Sequence, residues 1–322
     1  MNIFPTKILL AIDASKDAGL AAKAAIELAN TTGSELHLVY VTHLLTEASE
    51  ASYMAARLYQ EMYEEAKQEA QRLLDEQVRM IEEAGGRVAD THLRIGRPDE
   101  EVIRLGEELR AGLVVVGSRG LSPIRRALMG SVSDSVVRHA HCPVMVVRGE
   151  ENGEIIFWKR ILLATDGSKD AELAARIAAD ITQKGASELQ VVHVGPSAGY
   201  NGGGEPLVTD IFAPTEEQLK ELNKEHRQLL DAQVKQIEAA GGAVRKAHLR
   251  MGRPDEEIIA LAEEIGAGLV VMGCRGLGGV KRALMGSVSD SVVRYAHCPV
   301  LVVRMEEGAR LYPESSASTA RR

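Results

Sequence analysis

The chain writes itself twice. Residues 126–148 read RALMGSVSDSVVRHAHCPVMVVR and residues 282–304 read RALMGSVSDSVVRYAHCPVLVVR, with two differences. Upstream, HLRIGRPDEEVI from His92 returns as HLRMGRPDEEII from His248, and KILLAIDAS from Lys7 returns as RILLATDGS from Arg160. The period, roughly 155 residues, is the length of a domain and not of a solenoid unit. A 322-residue chain built this way reads as two like domains in tandem. The polar run GEENGE from Gly149 marks the boundary, so the domains are expected at 1–149 and 158–305, with a linker over 150–157. The polar residues 306–322 read as a flexible tail.

Within each half, short apolar runs alternate with longer patterned ones. KILLAID is a buried strand; an Ala-rich helix follows from Lys16 and ends near Gly33; ELHLVYV is the second strand. A long charged helix over 54–83 carries an apolar stripe through Leu58, Met62, Ala66, Ala70, Leu74, Val78 and Ile81. RVADTHLRIG is the third strand, and Pro98 opens a helix through Leu109 with Asp99, Glu100 and Glu101 in its first turn. AGLVVVG, a helix after Gly130 and CPVMVVR complete the half. This order predicts two α/β domains, each an open, twisted, five-stranded parallel sheet with helices on both faces.

Composition narrows the function. The net charge of −8 argues against a general nucleic-acid binder, and no apolar stretch approaches 18 residues, so no membrane span is expected. The first residues, MNIFPTKILLAID, lack the marks of a signal peptide. Cys142, Cys274 and Cys298 do not make a disulfide framework. A reducing cytoplasm is the expected setting.

In parallel sheets ligands bind beyond the carboxyl ends of the strands. Asp13, Val41, Gly96 and Gly117 all fall on that rim. Gly117 and Gly120 are read as giving the chain freedom to turn, and Gly130 as letting an anion approach the start of the next helix, where N–H groups are unpaired. Ser131 and Ser133 add hydroxyls at that end, and Arg119, Arg125 and Arg126 add charge. The pattern is a phosphate cradle without the lysine of a P-loop, and the first βα turn, AIDASKD, lacks the glycines of a dinucleotide fingerprint. Asp13 suits ribose hydroxyls and Val41 suits a base.

Gly117, two residues, Gly120, nine residues, Gly130 and then Ser131 repeat as Gly273, Gly276, Gly286 and Ser287, with Asp13 matched by Asp166. In these motifs, and in HCPVMVVR and HCPVLVVR, the chain resembles a tandem universal stress protein of the ATP-binding branch, over about residues 5–148 and 158–304. The resemblance implies an adenine nucleotide alpha-hydrolase-like, Rossmann-like fold. It implies ATP, or ADP or AMP, in each half, with Mg a common companion of the phosphates. Adenine would lie near Val41 or Val194, ribose on Asp13 or Asp166, and phosphates on the glycine loops. The candidate contacts are then Gly117, Arg119, Gly120, Gly130, Ser131, Val132 and Ser133, and in the second half Gly273, Arg275, Gly276, Gly286, Ser287, Val288 and Ser289. Members of the family act as stress-response regulators more than as catalysts.

Plainer uses stand beside each of these. The glycines can serve a turn and a helix cap alone, Asp13 and Asp166 can cap the turn that follows, and Ser131 and Ser133 can be ordinary helix-start residues. His139, His141 and Cys142 suggest metal, but Tyr295 replaces His139 in the second copy, so a structural role is expected and no metal ligands are assigned. Cys274 beside the loop raises a redox role. The insertion GYNGGGEP in the second half fits a lid or a tolerated loop. No acid–base pair at fixed spacing is visible, so binding is favoured, with slow metal-dependent ATP hydrolysis or autophosphorylation as the alternative. The apolar fifth strands, VMVVR and VLVVR, would need partners at a sheet edge. They are expected to pair with each other within the chain, and a homodimer is a further expectation.

Overall fold

The computed structural model describes residues 4, 6–13, 15–42, 53–120, 129–149, 159–196, 215–276 and 285–304. Arg125, Arg126, the insertion GYNGGGEP, the linker and the tail lie outside the described residues.

The first half runs β1 (Lys7–Ile12), α1 (Lys16–Thr32), β2 (Glu35–Thr42), α2 (Tyr53–Glu83), β3 (Val88–Ile95), α3 (Pro98–Leu109), β4 (Leu113–Gly117), α4 (Ser131–His139) and β5 (Val144–Val147). The second repeats it as β6 (Arg160–Ala164), α5 (Lys169–Gly185), β7 (Glu188–Gly195), α6 (Glu216–Ala239), β8 (Val244–Met251), α7 (Pro254–Ile265), β9 (Leu269–Gly273), α8 (Ser287–Tyr295) and β10 (Val300–Val303). Local chemistry sets the helix ends. The Ser15 hydroxyl accepts the Ala18 N–H at the start of α1, and Gly33, at φ 69°, closes it in a left-handed conformation that a Cβ would resist.

Within each half the pairing is parallel, in the order β3-β2-β1-β4-β5 and its counterpart β8-β7-β6-β9-β10. The chain reverses its direction of winding between β1 and β4, and again between β6 and β9, which puts a crevice beyond the ends of those strand pairs. The two sheets are not separate. β5 and β10 pair antiparallel, Met145 opposite Leu301, and the result is one ten-stranded sheet.

Both faces of this sheet are covered, which is why its central strands are apolar without alternation. One core layer takes Leu10, Leu28, Leu74, Met145, Ile161, Leu230 and Leu301, beneath α1, α2, α5 and α6. The other takes Leu9, Val39, Val116, Val136, Leu162, Val270 and Val292, beneath α3, α4, α7 and α8. Each layer crosses the junction without a break. Aromatic residues form 3% of the chain, and aliphatic side chains fill the space instead.

Polar contacts across the junction come in symmetric pairs. Arg138 bonds Asp134 on its own helix at 2.9 Å and Asp290 of the other half at 2.5 Å. Arg294 bonds Asp290 at 2.8 Å and Asp134 at 2.7 Å. Arg148 donates to the carbonyls of Arg294 and Ala296 at the end of α8, and Arg304 donates to those of Val137 and Ala140 at the end of α4. Cations at helix C-termini are favourably placed. Met145 is fully buried at this seam, so Met145→Ala is expected to lower the unfolding free energy by about 2–5 kcal/mol in urea titration.

Candidate functional site: the glycine-lined rim

The rim is assembled where β1 and β4 lie side by side. Asp13 follows β1 and is half-buried. Its Oδ1 accepts the Ser15 N–H at 3.0 Å, and its Oδ2 faces Gly120, where an added Cβ would come within 2.5 Å of that oxygen. The second half repeats this: Asp166 Oδ1 accepts the Ser168 N–H at 3.0 Å, and a Cβ on Gly276 would stand 2.5 Å from Asp166 Oδ2. At Gly120 and Gly276 the loop therefore crosses directly over a carboxylate, which would have to shift to admit a Cβ.

Neither Gly117 nor Gly120 has a positive φ, so turning freedom is not their reason. Gly117 is pressed against the first turn of α1, where an added Cβ would meet Asp17 C at 2.7 Å and Ala18 N at 2.9 Å. Gly273 packs in the same way on Asp170 and Ala171 of α5. On this rim the left-handed region is required instead at Gly96, φ 150°, where β3 turns into α3.

Gly130 differs from both. It is the N-cap of α4 at φ −66°, ψ 153°, it offers no side-chain cap, and an added Cβ would have ordinary contacts from 3.5 Å outward. Packing alone does not demand glycine there. Gly286 caps α8 with the same geometry, and its nearest contact would be 3.3 Å, to the Cys274 carbonyl. Each of these glycines anchors its loop through its own N–H, donated to Ser118 O at 2.8 Å and to Cys274 O at 2.9 Å. At the helix start Ser131 and Ser287 are exposed, while Val132 and Val288 tuck part of their side chains into the core.

Three groups of expected contacts are otherwise engaged. Ser133 is buried and its hydroxyl faces the carbonyls of Ser118 and Gly130, both at 2.9 Å. Ser289 does the same toward Cys274 and Gly286. These two serines tie the helix start to the strand end and do not point outward. Arg119 is drawn back onto Asp17, Nε to Oδ2 at 3.1 Å, and Arg275 onto Asp170 at 3.4 Å. Cys274 is fully buried with its Sγ 3.2 Å from the Arg304 guanidinium, so it is not placed as an accessible redox thiol. Val41 and Val194 stand half-buried near the ends of β2 and β7, on the core layer beneath α3 and α7.

The sequence reading missed Asp17 and Asp170. Asp17 is buried and takes the Ser118 hydroxyl at 2.7 Å together with Arg119. The repeated SKD after each strand-end aspartate was the available signal. It also missed a histidine pair confined to the second half. Buried His193 meets the Thr165 carbonyl at 2.8 Å and His226 Nδ1 at 2.7 Å, beside Asp166. Tyr40 holds the corresponding place in the first half, its phenol pKa raised by burial and then by Asp13 and Glu69. A hollow of about 470 Å³ runs between α3 and α4, lined by Arg97, Asp99, Ser135 and His139, and not over the ends of β1 and β4.

Two copies of one domain, each closing with this glycine-lined rim, match known proteins along most of the chain. The universal stress protein family model matches residues 5–148 and again 158–304. The chain belongs to the universal stress protein family. A universal stress protein of Mycolicibacterium smegmatis is 31% identical over 308 residues, covering 92% of this chain and 96% of its own. The crystal structure of a universal stress protein from Archaeoglobus fulgidus superposes with a TM-score of 0.66 at 26% identity, covering 94% of this chain and 97% of that one. A protein of Pseudomonas aeruginosa PAO1 shares the fold at TM-score 0.62 and 21% identity, with 92% of each chain covered. Among the described residues no helix is long and apolar enough to cross a membrane.

Gly117 and Gly130 differ in what a methyl would meet. Gly117→Ala drives a methyl into backbone and is expected to cost about 1–3 kcal/mol in urea denaturation, whereas Gly130→Ala has room for its methyl and is expected to cost only the poorer N-cap, about 0.5–1 kcal/mol. A second expectation concerns acid. Burial lowers the His193 pKa, so the folded ring stays neutral where the unfolded ring protonates. Stability from this group is present above the unfolded value of about 6.5 and is lost as pH falls through and below it. His193→Gln is expected to flatten the pH dependence of melting between about pH 7 and 5.

Proposed function

We propose that each half binds one adenine nucleotide, ATP with Mg being the simplest occupant, and that occupancy sets the conformation of the glycine loop for a stress-response regulator. The observation that carries this reading is Gly130 and its twin Gly286. Each opens a helix without a side-chain cap, above a rim that also presents an aspartate, and at Gly130 the fold would accept a Cβ in ordinary contact. Space for a methyl beside unpaired helix-start amides is what a phosphate needs.

The roles follow from chemistry. Asp13 and Asp166 accept ribose hydroxyls. Val41 and Val194 line the adenine side. The amides of Ser131 and Val132, with the Ser131 hydroxyl, face the phosphates, as do Ser287 and Val288 in the second half. Gly117, Gly120, Gly273 and Gly276 shape the floor. Arg119, Arg275, Ser133 and Ser289 hold the loop's base and do not act as ligands. We assign residues 1–149 and 158–305 as the two nucleotide-binding units.

Purified chain, denatured and analysed for released nucleotide, is expected to yield up to two adenine nucleotides per chain. Gly130→Val and Gly286→Val are each expected to remove one of the two sites in titration calorimetry. Absence of released nucleotide, with no melting shift on adding ATP, ADP or AMP with Mg, overturns the reading. Steady turnover near 1 per second, within the range of true enzymes, would replace the regulator with a catalyst.

A further inference from the structure

Away from the rim, the first half carries a cluster that the second lacks. His37 on β2 and Asp90 and His92 on β3 project from one face of neighbouring parallel strands, and one ligand atom from each falls within 4.8 Å of the others. His37 lies four residues before Val41 on the same strand, about 13 Å along it at the rise of a strand. We propose that His37, His92 and Asp90 bind a divalent transition cation of the zinc type, and that this site exists once per chain.

The geometry fits such an ion. His37 Nδ1 and His92 Nε2 stand 3.3 Å apart, and the rings are nearly parallel at 17°. Two nitrogens each about 2.05 Å from a tetrahedral zinc are separated by about 3.3 Å. Asp90 Oδ1 accepts the Thr91 N–H, which leaves Oδ2 facing His92 Nε2 at 3.8 Å. The Asp90 carboxylate is 62% exposed and free to swing inward, and a water completes a catalytic-type or open site. Two imidazoles and one carboxylate favour zinc, cobalt, nickel or copper over magnesium and calcium.

A second observation points the same way. His37 is 6% exposed, and its Nε2 is buried with no hydrogen-bond partner. With a metal on Nδ1 the His37 proton is held on Nε2, which lies 3.5 Å from Glu35 Oε2. A small turn of the exposed Glu35 side chain completes the carboxylate–histidine–metal arrangement that orients such ligands.

The second half is the built-in control. The same register places Gln190 beside Lys246, with His248 two residues on, where the first half has His37, Asp90 and His92. Gln190 Oε1 lies 2.7 Å from His248 Nε2, a satisfied amide–imidazole pair, and the lysine charge excludes a cation. The ion therefore staples edge strand β3 to β2 in one half only.

The test uses the full chain, stripped with chelator and free of nucleotide, so that it is independent of the rim. Co²⁺ titration followed by its visible absorption is expected to show one tetrahedral or five-coordinate ion per chain, displaced by Zn²⁺. His37→Gln, alone or with Asp90→Lys, recreates the second half's pair and keeps the fold. These variants are expected to lose the stoichiometric site, and Glu35→Gln to weaken it about tenfold or more. Wild-type chain that takes up no stoichiometric Co²⁺, or a His37→Gln chain that binds it equally, overturns the proposal.

Discussion

A parallel sheet that ends on a short apolar strand has one edge it cannot leave bare, and the pairing of β5 with β10 resolves that for both halves at once. Each strand is four residues long and fully buried, too small to stand alone. Antiparallel pairing joins the two edges over Val144–Val146 and Val300–Val302 and sets the two halves about a pseudo-two-fold axis. The axis then brings α4 and α8 close enough for Arg138, Asp134, Arg294 and Asp290 to interlock, and carries Arg148 and Arg304 onto the helix ends of the opposite half. These partly exposed charges specify alignment more than they add stability. The continuous aliphatic layers on both faces supply most of the cohesion.

Much of this is legible in the sequence alone. Pro98 with three acids behind it marked α3 from Pro98 to Leu109, and Gly33 marked the end of α1. The repeat itself fixed the element order. The rim was legible too, because strand ends in a parallel sheet share one side. What escaped were the side-chain contacts decided by partners distant in sequence. Arg119 looks like a free cation until Asp17, 102 residues away, is seen to hold it. Ser133 looks like a ligand until the Ser118 carbonyl claims it. Gly117 looks like a residue freeing the chain to turn, but its constraint is the backbone of α1 lying against it, which no local pattern records. His37 and His92 lie 55 residues apart and meet only through strand register.

The halves are near copies in backbone and unequal in chemistry. Ser118 bonds Asp17, whereas Cys274 in its place turns to Arg304. Tyr40 stands where the second half has His193, backed by His226. His37 is answered by Gln190. All these exchanges sit on or beside strands that the two cores hold in the same positions, so the scaffold tolerates them without changing its path.

Fusion into one polypeptide gives the seam a further property. Two separate subunits joined through such strands would part on dilution, whereas tethered halves meet at an effective concentration set by the chain, whatever the amount of protein present. A symmetric pair of identical subunits must also carry every substitution twice, once on each side of its axis. Here each side can change alone, so the molecule is free to assign one half a duty that the other never acquires.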